Sequence, residues 1–129
     1  MNIDTRKYLM DEDIKEWKLK LKKDPKNSDL WAMFGYKLAG YRRDKEAVEA
    51  FTKAVRFNPK NFSSWTELAR IYSVHEKYDK AIEACKRAAE INPNHGMNWY
   101  ILGQLLVKQK MYEEAADALE HCIKNEPEN

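Results

Sequence analysis

The side chains of this 129-residue chain that most often sit at reaction centres are His75, His95, His121, Cys85 and Cys122. No two of the histidines have the i, i+4 spacing that turns a pair of imidazoles toward one metal, and no second cysteine lies at ligand spacing. A glycine-rich phosphate loop is absent, and no nucleophile has a base beside it in the pattern. Intrinsic catalysis is therefore not expected, and neither a metal nor another cofactor is called for. The chemistry left to the chain is recognition. Its candidates are Tyr36, Thr66, Arg70, Met97, Tyr100 and Gln104, which mix large apolar groups with hydrogen-bonding ones in the way that suits peptide capture.

Those six residues must be carried by helices, and the helices repeat. Between Ser28 and Asn61, Trp31, Phe34, Gly35 and Leu38 recur at the i, i+3, i+4, i+7 spacing of one helical face, and Ala47, Phe51 and Ala54 form a second such face. Thirty-four residues on stand Trp65, Leu68, Ala69, Tyr72, then Ala81, Cys85, Ala88. The next step gives Trp99, Leu102, Gly103, Leu106, then Ala115, Leu119, Cys122, while prolines at 25, 59, 93 and 127 keep the same interval. First helices are expected near 28 to 41, 62 to 75 and 96 to 109, and second helices near 44 to 57, 78 to 91 and 112 to 125. Pro59 and Pro93 fall just past helix ends, where their missing N–H costs nothing, and Asn61 and Asn94 are available as N-caps. Gly35 and Gly103 mark close approach of the paired helix, with Ala69 as the middle repeat's version. Both cysteines occupy core slots and are expected to be buried free thiols, in keeping with a reducing compartment.

The order W-x2-L-G-x2-Y, then A-x3-F, then P, resembles the tetratricopeptide repeat. Phe34 replaces the usual Leu, Leu38 and Leu106 the usual Tyr, and Cys85 and Leu119 the usual Phe. The resemblance implies an all-α fold, a right-handed superhelix of stacked antiparallel helix pairs forming an α-solenoid. It divides the chain into an N-terminal arm and capping helix over 1–27, a degenerate half repeat, followed by repeats over 28–61, 62–95 and 96–129. Within that cap, residues 1–9 read as a frayed arm and a helix is expected from about Met10 to Lys23, with Ile14, Trp17 and Leu21 as its apolar stripe. Trp65, in the middle layer, is expected to be packed on both sides.

First helices line the concave side of such an array. The face a third of a turn from Trp31 holds Asp29, Ala32, Tyr36 and Ala39, matched by Ser63, Thr66, Arg70 and Ser73, and by Met97, Tyr100, Gln104 and Val107. These slots differ from repeat to repeat while the packing slots agree. The family's carboxylate-clamp members hold a partner's C-terminus with lysine, asparagine and arginine. The corresponding positions here are Ala32, Tyr36, Glu67, Met97 and Ile101, so no clamp is implied. The resemblance implies a noncatalytic adaptor or scaffold that binds a partner protein or peptide in the concave groove.

Composition agrees with that class. The charged share is 34% but the formal charge is only +2, so neither nucleic acid nor a membrane surface is expected as a partner. An RNA-binding helical repeat is a weaker alternative, motivated by lysines interleaved with aromatics. The apolar runs are too short to span a bilayer, and MNIDTRKYLM has no secretory apolar stretch, so the cytoplasm is the expected location. The ends differ in sign. Residues 15–26 carry six lysines against Glu16 and Asp24, and residues 111–129 carry six acids against Lys124. Ala115, Leu119, Cys122 and Ile123 would form an exposed apolar strip on the final helix, which opens a second possibility: a homo-oligomer assembled through the ends, the C-terminal helix above all.

Overall fold

A computed structural model describes residues 2–125 and divides the chain into two compact units, Met1–Asn61 and Phe62–Asn129. The first unit holds α1 (Ile3–Lys23), α2 (Ser28–Gly40) and α3 (Asp44–Phe57). The second holds α4 (Phe62–Val74), α5 (Tyr78–Ile91), α6 (Gly96–Lys108) and α7 (Tyr112–Lys124). No strand occurs among the described residues, and the six helices from α2 onward begin and end within a residue of the expected positions. Pro127 lies outside the described residues.

The helix ends follow from local chemistry. Asp24, Asn58 and Asn92 each precede a proline and take φ of -141°, -142° and -134°, because the proline ring excludes the helical conformation from the residue before it. The indole N–H of Trp31 then donates to the Pro25 carbonyl at 2.8 Å, and that of Trp99 to the Pro93 carbonyl at 2.7 Å. The spacing of tryptophan and proline thus records a hydrogen bond as well as a packing rule. It also places the tryptophans at the margin of the core. Trp31, Trp65 and Trp99 are all half-buried.

Two expectations need correction. The segment read as a frayed arm is helical from Ile3, because Asn2 caps it by accepting from the Thr5 N–H at 2.8 Å, Asp4 favours the first turn, and no proline or glycine interrupts the run before Pro25. The N-cap of α6 is His95 rather than Asn94. His95 Nδ1 accepts from the Asn98 N–H at 3.2 Å, while Asn94 is exposed in the preceding turn. Asn61 is buried and its amide donates to Ser28 Oγ at 2.9 Å.

Within each first-and-second helix pair the turn has one form. Arg42, Glu76 and Lys110 sit at φ of 61°, 60° and 61°, the left-handed region. In the first turn the Arg43 N–H reaches back to the Leu38 carbonyl at 2.9 Å and the Arg42 N–H to the Ala39 carbonyl at 3.0 Å, the two bonds of a Schellman motif. The other turns repeat it, with Lys77 to Tyr72 at 2.8 Å and Met111 to Leu106 at 2.9 Å.

The pairs then close on their small residues. A Cβ added at Gly35 would lie 2.8 Å from the Phe51 ring, and one added at Gly103 would lie 2.7 Å from the Leu119 side chain. Ala47, Ala54, Ala81 and Ala88 are fully buried, as is Phe51. Cys85 and Cys122 are buried free thiols, and burial pushes the Cys85 thiol up to about 12, which keeps it protonated and unreactive.

α1 is held to the first pair by a mixed contact. Trp17 stacks on Phe34 with centroids 6.3 Å apart, Tyr41 donates to Asp13 at 2.5 Å, and Lys37 and Arg43 pair with Asp13 and Asp11, each at 3.6 Å. The hydrogen bond to Asp13 is the main cause that pushes the Tyr41 hydroxyl up to about 12, with burial and the Asp13 charge adding to it.

Two stability outcomes follow. Gly35→Ala should destabilise by about 1–3 kcal/mol despite alanine's better helix propensity, because the buried Phe51 ring has nowhere to go, whereas Gly40→Ala, with open space around the new Cβ, should be neutral or stabilise by up to about 1 kcal/mol. Urea unfolding of the two variants compares them directly. Lys110→Gly should stabilise by about 1 kcal/mol, since glycine meets no Cβ penalty in the left-handed region, and a lower denaturation midpoint would contradict the strain assigned to that turn.

Candidate functional site

Five of the six recognition candidates belong to the second unit. Thr66 and Arg70 lie on α4, and Met97, Tyr100 and Gln104 on α6. The α6 group shares one helix face and is exposed, Met97 at 61% and Tyr100 at 43%. Gln104 Nε2 donates to the Tyr100 hydroxyl at 2.9 Å, one turn away, so the phenol is held in place by a polar neighbour that is itself exposed. Val107, two turns from Tyr100, is exposed on the same side.

The α4 pair is engaged locally. Arg70 donates through Nε and Nη2 to Glu67 Oε2 at 3.0 and 2.8 Å, and Thr66 Oγ1 donates to the Ser63 carbonyl at 2.8 Å. Glu67, one of the positions that do not match a carboxylate clamp, is thus a partner of Arg70. Its i, i+3 spacing to Arg70 was the signal for this ion pair. A ligand acid that engages Arg70 must share it with Glu67.

Tyr36 belongs to the first unit, on α2. It is exposed on one side, and its ring meets Phe51 edge-on at 5.2 Å, so it also caps the core. Ala32, grouped with it on the same face, is buried.

The first unit also contains a cavity of about 440 Å³. Its floor is apolar, built from Leu21 of α1, Trp31, Phe34 and Leu38 of α2, and Ala50 of α3. Lys18 and Lys22 stand on the α1 wall, and Glu46, Glu49 and Lys53 on the α3 wall. The repeat pattern assigns Trp31, Phe34 and Leu38 to packing, and Phe34 and Leu38 are indeed buried, but Trp31 is only half-buried and borders the cavity.

The apolar strip expected on the final helix is narrower than its residue pattern implied. Ala115 and Cys122 are buried and Leu119 is half-buried beneath Gly103 of α6, which leaves Ile123 exposed, with Tyr112 and Met111 at the helix start. Among the described residues no group of three or more His, Cys, Asp or Glu is placed to hold a metal ion, and no helix is long and apolar enough to cross a membrane.

Residues 41–122 match the family model described as "Anaphase-promoting complex, cyclosome, subunit 3". No curated protein matches. Among solved structures, MamA is similar with a TM-score of 0.80 at 23% identity, over 94% of this chain and 66% of that one. A MamA segment from Desulfovibrio magneticus, residue 41 to the end, has a TM-score of 0.79 at 18% identity, over 97% of this chain and 71% of that one. YrrB, described as a TPR protein with an unusual peptide-binding site, has a TM-score of 0.76 at 21% identity, over 97% of this chain and 64% of that one. The chain thus spans about two thirds of the length of the solved structures it matches. At these identities the likeness establishes the all-α tetratricopeptide-repeat fold.

Proposed function

The chain belongs to the tetratricopeptide-repeat family, in the grouping named for subunit 3 of the anaphase-promoting complex, and from that membership we propose that it is a noncatalytic adaptor that binds a partner peptide or helix in the cytoplasm. Its working units are the repeats 28–61, 62–95 and 96–129 behind the α1 cap. The observation that carries this reading is the face of α6, where Met97 and Tyr100 hold large apolar groups in solvent although the core does not use them, and where Gln104 supplies a hydrogen-bonding group beside them. Aromatic and Met side chains with polar neighbours are the composition of binding hot spots. Thr66 and Arg70 of α4 extend the polar part of the reading, and Tyr36 offers a comparable aromatic on α2. The description of YrrB supports the class of ligand, a peptide.

Changing Met97 and Tyr100 together to alanine should weaken binding of a partner recovered from native cells by more than about 2 kcal/mol, roughly 30-fold, while leaving the unfolding midpoint nearly in place. Affinity measured by calorimetry on the purified partner checks this. Undiminished binding moves the site away from α6.

A second reading rests on the exposed Tyr112 and Ile123 of α7 beside Glu113, Glu114, Asp117 and Glu120, together with the lysine-rich α1. Copies that associate head to tail pair opposite charges, so salt should weaken the contact, whereas a two-fold contact between acidic ends should strengthen with salt. Sedimentation at low and high salt separates these modes, and a monomer at about 100 μM under both conditions removes the reading.

A further inference from the structure

Four positions around the cavity of the first unit recur in the second, two repeat lengths further along, and there they make different contacts. Lys18, Trp31, Glu46 and Lys53 correspond by that interval to Lys86, Trp99, Glu114 and His121. In the second unit side chains of the chain itself make the contacts over the tryptophan. His121 stacks on Trp99 with centroids 4.3 Å apart and planes 22° off parallel, and Lys86 pairs with Glu114 at 3.4 Å across α5 and α7. In the first unit neither contact forms. Lysine at position 53 offers no ring, and only its ammonium stands over Trp31, 5.6 Å from the centroid. Glu46 is drawn away to Arg43 at 2.7 Å, and Lys18 makes no ion pair among the described residues. About 440 Å³ stays open over Trp31, a size suited to a bound apolar group.

We propose that this cavity is a second peptide-binding site, which takes an acidic segment carrying one aromatic side chain. The contacts of the second unit give the ligand's chemistry: a flat ring that stacks on Trp31 as His121 does on Trp99, and a carboxylate that pairs with Lys18 as Glu114 does with Lys86. Charge favours the same occupant. Lys18, Lys22 and Lys53 rim the opening and Glu46 is neutralised by Arg43, so among the lining residues Glu49 is the one acid left to oppose an anionic segment. No hydroxyl, thiol or imidazole lines the space, and the site is one for binding. It uses different residues from the α6 face and stands or falls separately from it.

The test uses the full chain and three acetylated, amidated peptides, EEFEE, EEAEE and KKFKK, followed by NMR through the Trp31 indole N–H and by calorimetry. EEFEE should shift the Trp31 signal and bind at least tenfold tighter than either of the others. The variant Lys18→Glu with Lys22→Glu, both exposed on α1, should lower EEFEE affinity at least tenfold. Lys53→His, which supplies the ring found over Trp99, should stack on Trp31 in the ligand's place and lower it as well. No Trp31 shift by about 1 mM EEFEE, equal binding of the three peptides, or shifts confined to Tyr100 and Gln104 would each overturn the proposal.

Discussion

Everything in this chain depends on how near two helix backbones can come. At Gly35 and Gly103 the partner helix is so close that a single added carbon would lie inside the contact distance of Phe51 or Leu119. Buried Ala47, Ala81 and Ala115 continue the same economy of side-chain volume on the second helices. Interiors are packed at crystal-like density, so such an approach fixes the rotation of each helix about its own axis. Once α6 is rotated to bury Leu102, Gly103 and Leu106, Met97, Tyr100 and Gln104 have no choice but to face water. Exposure of the recognition candidates is therefore a by-product of the packing rule, and their identities are free to vary because the rule does not act on them.

The parts legible in the sequence were those governed by that rule and by proline. Helix positions and core slots come from a fixed interval, and the interval is visible because Trp, Gly, Ala and Pro each have one physical task in it. What was not legible depended on alternatives of similar energy. The start of α1 turned on one cap, Asn2 to Thr5, which a composition-based reading of residues 1–9 does not weigh. His95 in place of Asn94 as a cap is a choice between adjacent polar residues. The left-handed turn positions, filled by Arg42, Glu76 and Lys110, carry no glycine to announce them.

The candidate sites were legible to unequal degrees for the same reason. Tyr100 and Met97 could be found because large apolar residues outside the packing slots are conspicuous. The space above Trp31 could not, because every residue on its floor is a packing residue and the opening is created by what α1 and Lys53 fail to cover. Arg70 shows an intermediate case, since its position was found but its ion pair with Glu67 was not weighed. A slot pattern tells which side chains touch; it does not tell whether the touching leaves a gap.

The three-residue turns between paired helices have a consequence for how the molecule is made. Gly35 and Phe51, like Gly103 and Leu119, are near neighbours along the chain, so their contact closes a short loop and loses little chain entropy in doing so. Low contact order of this kind makes folding fast, and synthesis proceeds from the N-terminus at a pace slow enough for a finished pair to settle before the next is complete. A nascent chain that has released α1 to α3 already possesses both sides of the Gly35–Phe51 contact. The ribosome thus delivers this protein as a series of nearly finished pieces, each of which meets its successor in helical form.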